Sequence, residues 1–276
     1  MEIEIKGVPV CYEKFGEGTP IICIHGFPED HRAMMGCVEP LFDHVSGYCR
    51  IYIDLPGMGR SPAHPEVKNA DQMLDILQHL IRMITKNTPY LLMGQSYGGY
   101  LSLGLAHRFP ALIDGIFLLC PCTVANRSER KLPKRHPVIL QEPRLTDDDD
   151  PEDYREFLEM AAVVSPEIWR RYKTEVLAGL QSADEAFCKR YQEQGYAFSF
   201  ENELLEKTYQ KPVCILTGRA DDCVGYEDTF RLVKAFPYTT FTVLAGAGHN
   251  LQLEAPSSFK SHFRLWLEQV EADKRT

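Results

Sequence analysis

The chain has 276 residues, 44% of them apolar and 25% charged, which suits one globular domain with an insertion or two small domains. Its formal charge of −9 argues against nucleic acid as the main partner, because phosphate binding needs a concentrated basic surface. No stretch is long and apolar enough to span a bilayer, and Met1-Glu2-Ile3-Glu4-Ile5-Lys6 alternates like a strand rather than a signal peptide.

Residues 2–15 alternate polar and apolar around Gly7-Val8-Pro9, which predicts a β-hairpin. Ile21-Ile22-Cys23-Ile24 is a continuous apolar run suited to a strand covered on both faces. His25-Gly26-Phe27-Pro28 breaks it, and a helix is expected through Phe42. Arg50-Ile51-Tyr52-Ile53 reads as the next buried strand and runs into a glycine-rich loop over 54–61. Met73, Ile76, Leu77, Leu80 and Ile84 recur at helical spacing over 70–86. A short strand, Tyr90-Leu91-Leu92-Met93, then leads to Ser96, and a helix beyond it stops at Phe109-Pro110. Ile116-Phe117-Leu118-Leu119-Cys120 is a further strand.

There the alternation stops. Residues 122–208 are charged and carry helical patterns over 154–164, 166–180 and 184–194 without a clear strand. The rhythm resumes with a strand at Val213-Cys214-Ile215-Leu216-Thr217, a helix over 228–236, a strand at Thr240-Phe241-Thr242-Val243-Leu244 and a last helix over 255–270. Strands alternating with helices predict an α/β fold, a mostly parallel twisted sheet with helices on both faces. The break predicts a helical insertion after the strand that follows Ser96. Residues 1–121 and 209–276 then form the core, and 122–208 a lid.

The nine cysteines are odd in number and scattered, and Cys23, Cys120 and Cys214 sit inside apolar strands. They read as buried thiols in a reducing cytoplasm. Cys120-Pro121-Cys122 lacks the spacing of a metal pair, so neither a metal nor a cofactor is expected. The basic cluster from Arg127 to His136, with Lys131, Lys134 and Arg135, precedes the acidic run Asp147-Asp148-Asp149-Asp150. Both read as solvated, salt-bridged surface.

Gly94-Gln95-Ser96-Tyr97-Gly98 has G-x-S-x-G spacing between a strand and a helix. The glycines let backbone pass close to a strained serine, whose hydroxyl is lifted to the positive end of a helix. A serine hydroxyl needs a base to take its proton and a carboxylate to orient that base. Asp221, in Gly218-Arg219-Ala220-Asp221, and His249, in Gly246-Ala247-Gly248-His249, each follow a strand. Ser96, Asp221 and His249 therefore meet at the carboxyl edge of one sheet, in the order Ser…Asp…His.

With these residues in place the chain resembles the α/β-hydrolase family, in its lid-containing single-chain esterase group. The resemblance rests on His25-Gly26-Phe27-Pro28, on Asp54-Leu55-Pro56-Gly57-Met58-Gly59-Arg60-Ser61, on the Ser96 turn, and on Gly248-His249 with Leu253-Glu254-Ala255-Pro256. It covers 1–121 and 209–276 and fades across 122–208, where the family places its variable lid. It implies an α/β-hydrolase fold with Ser96 as nucleophile, His249 as general base and then acid, and Asp221 as the orienting carboxylate. Asp221 is favoured over Asp222 because the family's acid stands three positions after the strand-end glycine, here Gly218. It further implies an oxyanion hole made of the backbone N–H groups of Phe27 and Tyr97.

Relatives that release halide or open epoxides carry aspartate where Ser96 stands, and iminopeptidase-like relatives carry His-Gly-Gly-Pro-Gly, absent here. The expected reaction is hydrolysis of a small or medium carboxylic ester through an acyl-serine. The alternatives are a carbon–carbon bond hydrolase with the same three residues, against which Phe27 argues mildly, and a ligand receptor of the same fold that does not turn over, with 127–153 as its partner surface. Lid positions that would shape the pocket include Phe157, Met160, Trp169, Tyr172 and Phe187, although helical spacing also suits them to packing inside the lid. A small-molecule substrate is the expected partner. The oligomeric state is left open.

Overall fold

The computed structural model describes residues 1–134, 138–147 and 149–275. Arg135 and His136 of the basic cluster and Asp148 of the acidic run lie outside the described residues. The strands are β1 (Glu2–Ile5), β2 (Val8–Phe15), β3 (Thr19–Ile24), β4 (Tyr48–Ile53), β5 (Tyr90–Gln95), β6 (Ile113–Leu119), β7 (Val138–Ile139), β8 (Val163–Val164), β9 (Val213–Gly218) and β10 (Thr239–Leu244). Eight of them form one sheet in the order β1-β2-β4-β3-β5-β6-β9-β10. The six from β4 to β10 along that order are parallel, and β2 joins β4 antiparallel as half of the β1–β2 hairpin. Lys6 (φ 52°) and Gly7 (φ 85°) make the two left-handed steps that a tight hairpin turn of this hand requires. Every residue of β5 and β9 is buried, which explains their unbroken apolar runs.

Helices α1 (His31–Val38), α2 (Ala70–Thr85), α3 (Tyr97–Arg108), α4 (Pro151–Met160), α5 (Pro166–Tyr172), α6 (Ala178–Leu180), α7 (Glu185–Gln194), α8 (Leu232–Ala235), α9 (Leu251–Glu254) and α10 (Pro256–Asp273) connect and cover these strands. Several start where a side chain caps a free backbone N–H: Asp30 on Arg32, Asn69 on Gln72, Ser165 on Ile168 and Asp184 on Phe187. Lys86 ends α2 in the left-handed conformation at φ 53°. Among the described residues no helix is long and apolar enough to cross a membrane.

Between β6 and β9 the segment departs from the expected run of helices in two places. The pattern over 154–164 is helical only to Met160; Ala161 turns to extended backbone, and Val163-Val164 pairs as β8 with β7. Two β-branched residues in sequence favour the pleated geometry once a partner strand is present. The pattern over 166–180 is broken by a π-turn, Lys173–Leu177, between α5 and α6. The helix expected over 228–236 is also shorter, a 3-10 turn (Thr229–Arg231) followed by α8.

The main core lies on both faces of the large sheet, and a second apolar cluster gathers Phe157, Ile168, Trp169, Tyr172, Val176 and Leu253. On one face α10 presents Phe259, Phe263, Trp266 and Val270. The first three surround Phe117 of β6 at ring-centroid distances of 5.6, 5.8 and 5.5 Å. Trp266 is fully buried, and its indole N–H reaches the Pro212 carbonyl at 3.3 Å. Trp266→Ala should therefore cost about 3–5 kcal/mol in urea unfolding, whereas Leu265→Ala on the exposed side of the same helix should stay within about 0.5 kcal/mol. Equal losses at the two positions would contradict this packing.

Candidate active site

Ser96 stands between β5 and α3 with φ 51° and ψ −116°, a backbone conformation that residues with side chains rarely take. Its N–H donates to the Leu119 carbonyl at 3.0 Å, and its own carbonyl accepts from Cys122 N at 2.9 Å. A Cβ on Gly98 would run into the Ile24 carbonyl, and one on Gly94 into the Gly98 carbonyl. These are the close approaches that the glycine spacing implies.

The loops after β9 and β10 are stitched together. Arg219 N donates to Leu244 O and Ala220 N to Ala247 O, both at 2.9 Å. That stitching brings His249 between Asp221 and Ser96. His249 Nε2 lies 3.0 Å from Ser96 Oγ, and His249 Nδ1 lies 2.9 Å from Asp221 Oδ2. The remaining Asp221 oxygen, Oδ1, accepts the N–H groups of Cys223 and Val224, both at 3.0 Å.

Asp221 is fully buried and the other two nearly so. Burial alone would raise the Asp221 carboxyl, but the His249 charge and the hydrogen bonds outweigh it and hold it below its usual value. Burial alone would lower the His249 imidazole, but the Asp221 carboxylate prevails and raises it well above. Cys223 also faces the imidazole: burial pushes its thiol up, and the His249 charge and hydrogen bond more than offset that.

Phe27 and Tyr97, expected for their backbone N–H groups, flank the serine. Among the described residues neither N–H donates a backbone hydrogen bond, and the Tyr97 N–H belongs to the first turn of α3, where no intrahelical acceptor exists. The His25 ring fixes the loop that carries Phe27. Its Nδ1–H donates to Gly26 O at 2.7 Å, and its Nε2 accepts Leu55 N at 3.0 Å, so the ring is neutral and tied to the 54–61 loop.

Asp54 anchors that second loop. Its Oδ1 accepts the N–H (2.9 Å) and Nδ1–H (2.7 Å) of His31, and its Oδ2 accepts Arg60 Nε at 3.1 Å. Glu254 anchors the His249 loop, taking Gly248 N at 2.5 Å and, through its other oxygen, Ala162 N at 2.7 Å.

The residues expected to shape the pocket pack about Tyr172. Phe157 and Trp169 are buried in the second apolar cluster, where Trp169 Nε1 donates to Asp149 Oδ1 at 3.2 Å. Met160 is half-buried with its sulfur 3.9 Å from the Tyr172 hydroxyl. All three belong to the inserted segment, and Leu253 of α9 joins the cluster that holds Phe157 and Trp169. The aromatic residues that do meet the serine loop are Tyr191 and Tyr196. The Tyr196 ring lies 4.2 Å from that of Tyr97 and 5.4 Å from that of Phe27, and the Tyr191 hydroxyl lies 2.7 Å from that of Tyr97. Phe187 backs Tyr191 at 5.6 Å, so the i,i+4 spacing of Phe187 and Tyr191 was a readable signal, whereas Tyr196 beyond the helix end offered none.

The basic cluster also differs from a solvated surface at one residue. Arg130 turns inward and donates to the carbonyls of Val124, Ala125 and Cys223.

Among the described residues, two groups of side chains hold possible metal-ligand atoms within 4.8 Å of one another, Cys120 with Asp221 and His249, and Asp30 with His31 and Asp54. In both, the carboxylates already accept protein N–H groups.

A family model described as alpha/beta hydrolase fold matches residues 19–256. The crystal structure of an alpha/beta superfamily hydrolase from Oenococcus oeni PSU-1 superimposes with a TM-score of 0.91 and 32% identity, covering 98% of this chain and 99% of that one. A pimeloyl-[acyl-carrier protein] methyl ester esterase from Shewanella oneidensis is 30% identical over 48% of this chain and 46% of its own length. A proline iminopeptidase from Xylella fastidiosa is 25% identical over 87% of this chain and 86% of its own. With the first of these two, as with several other curated relatives, the chain aligns over only about half of their length.

Asp54 supplies a stability test. Burial alone would raise its carboxyl, but the His31 hydrogen bonds outweigh it and hold it at about 2, below the usual 3.8. A depressed folded-state value contributes stability above the unfolded pKa that is lost as pH falls through the folded one. Asp54→Asn should therefore cost about 2 kcal/mol at pH 7. The difference from wild type should shrink between about pH 4 and pH 2 in denaturant titrations. A pH-independent difference would mean that Asp54 is not charged in the fold.

Proposed function

The chain belongs to the alpha/beta hydrolase fold family, and from that premise we propose that it is a serine hydrolase that cleaves a small or medium carboxylic ester through an acyl-serine. The observation that supports this most is the unbroken chain of hydrogen bonds from Ser96 Oγ through the His249 ring to Asp221, at 3.0 and 2.9 Å. As Ser96 Oγ attacks the ester carbonyl, His249 Nε2 takes its proton, and Asp221 stabilises the imidazolium that forms. The carbonyl oxygen becomes an oxyanion facing the free N–H groups of Phe27 and Tyr97; losing one such donor typically costs about 10²–10³ in kcat. His249 then returns the proton to the departing alkoxide. In the second half-reaction it takes a proton from the water that attacks the acyl-serine and gives it to Ser96 Oγ as the acid leaves.

Residues 122–208 serve in this reading as the lid. The Tyr191 and Tyr196 rings cover the serine loop and would move aside to admit substrate. The raised His249 value gives the pH dependence its sign: the base must be neutral to accept a proton, so kcat/KM falls as pH drops through that value.

The test combines labelling by a fluorophosphonate with turnover of p-nitrophenyl esters from acetate to octanoate, and with prolyl p-nitroanilide as an amide control. Stoichiometric labelling with repeated ester turnover is expected. Labelling with turnover of the anilide alone would replace the ester reading, and failure to label would remove the nucleophile. Ser96→Ala should keep the unfolding curve and lose roughly 10⁵–10⁶ in kcat. Asp221→Asn should lose about 10⁴ in kcat and move the acid limb of the pH profile downwards, because the carboxylate that raises His249 is gone. Asp222→Asn should remain within a few-fold of wild type; a severe loss there with a mild one at Asp221 would transfer the orienting role by one position.

A further inference from the structure

Two buried side chains beside Ser96 have hydrogen-bonding capacity that the fold leaves unused. Glu29 is 4% exposed and Gln95 fully buried, yet Glu29 Oε2 and both Gln95 carboxamide atoms have no partner. Polar atoms removed from water without a partner carry the full cost of desolvation, so such atoms next to a reactive group point to something that meets them during function.

Both side chains converge on Gly26. Glu29 N donates to Gly26 O at 3.0 Å, closing the turn over 26–29. A Cβ on Gly26 would run into Gln95 Oε1 and would stand 3.1 Å from the Ser96 Cβ. The pair therefore flanks the serine on the side of the loop that carries the Phe27 N–H. It also lies at the seam with the inserted segment, since a Cβ on Gly179 of α6 would stand 3.2 Å from the Glu29 carbonyl carbon.

We infer that Glu29 and Gln95 form a polar subsite beside Ser96 that takes a hydrogen-bond-donating substituent, a hydroxyl or an ammonium, on the acyl portion of the substrate. The inference rests on the ester-hydrolase reading above and specifies its substrate class. The unused atoms are mostly acceptors: one carboxyl oxygen and one amide oxygen against a single amide NH₂. A plain alkyl chain would leave them all unpaired, which is how a site built for a polar substrate rejects an apolar analogue.

The charged and titratable groups around Glu29 suit either donor. Burial pushes its carboxyl up to about 7, against the pull of the His249 imidazole and with a further push from Asp30. The Tyr172 hydroxyl and the Cys37 thiol are near enough to be raised by its charge. A carboxyl in this state accepts from a hydroxyl, and an arriving ammonium would stabilise its ionised form. Glu29 would then determine specificity without taking part in the proton transfers.

The experiment compares kcat/KM for four methyl esters on one carbon skeleton: propionate, 2-methoxypropionate, lactate and alaninate. The methoxy ester controls for the electronic effect of a 2-substituent without donating a hydrogen bond. Wild type should prefer lactate or alaninate over both of the others by about tenfold or more. Which of the two leads distinguishes hydroxyl from ammonium. Glu29→Leu should reduce that preference about tenfold, while Glu29→Gln should keep part of a hydroxyl preference and lose an ammonium one. Glu29→Gln conserves volume, so it also serves if the leucine variant does not fold, as judged by thermal unfolding. Turnover of all four esters without preference, or a preference unchanged in both variants, overturns the subsite alone. A wild type that cleaves none of them, nor p-nitrophenyl acetate, overturns the ester reading and the subsite with it.

Discussion

Ser96 is held in a left-handed turn, φ 51° and ψ −116°, at a cost of about 1–3 kcal/mol for a residue with a side chain. The conformation persists because its neighbours allow no other. The Ser96 N–H is fixed to Leu119 on the adjacent strand, its carbonyl is shared by Tyr100 and Cys122, and the backbone passing Gly98 leaves no room for a Cβ. Strand β5, helix α3 and the end of β6 are positioned by that one turn. The loops after β9 and β10 then need only reach the same edge of the sheet for an imidazole to meet the hydroxyl.

Around this turn, buried charge does what apolar packing cannot do for irregular backbone. Loops at a sheet edge expose N–H groups that have no ladder to join, and a carboxylate can take several of them at once. Asp221 takes two, Asp54 takes the His31 and Arg60 backbone N–H groups, and Glu254 takes three, from Gly248, Ala162 and Val163. Such groups are expensive to bury and more expensive to leave unpaired, so removing one frees a whole loop rather than a single contact.

The core was legible in the sequence wherever the signal was local. The buried runs of β3, β5 and β9, the hairpin read around Gly7-Val8-Pro9, whose turn falls at Lys6-Gly7, and the glycine spacing about Ser96 each depend on a few adjacent residues. Asp221 and His249 were readable because both follow strands by a few residues, and parallel strands end on one edge. The inserted segment was less legible. Its helical periodicity ran through Val163-Val164, where pairing with β7 overrides the helix, and through the π-turn at 173–177. Aromatic residues at helical spacing mark a buried face without saying what covers it. Phe157 and Trp169 pack on each other and on Tyr172, while Tyr191 and Tyr196 reach the serine loop only through contacts made across the chain.

Glu254 binds the Gly248 N–H with one oxygen and the Ala162 and Val163 N–H groups with the other. The turn that carries the imidazole and the strand β8 of the inserted segment therefore share one carboxylate. Displacing either partner strips a half-buried carboxylate of donors, so the two are thermodynamically linked: a ligand that favours docking of β8 would also favour the placement of His249, and by the same factor in return. The inserted segment and the His249 turn are thus tied through a single side chain that touches neither Ser96 nor the imidazole.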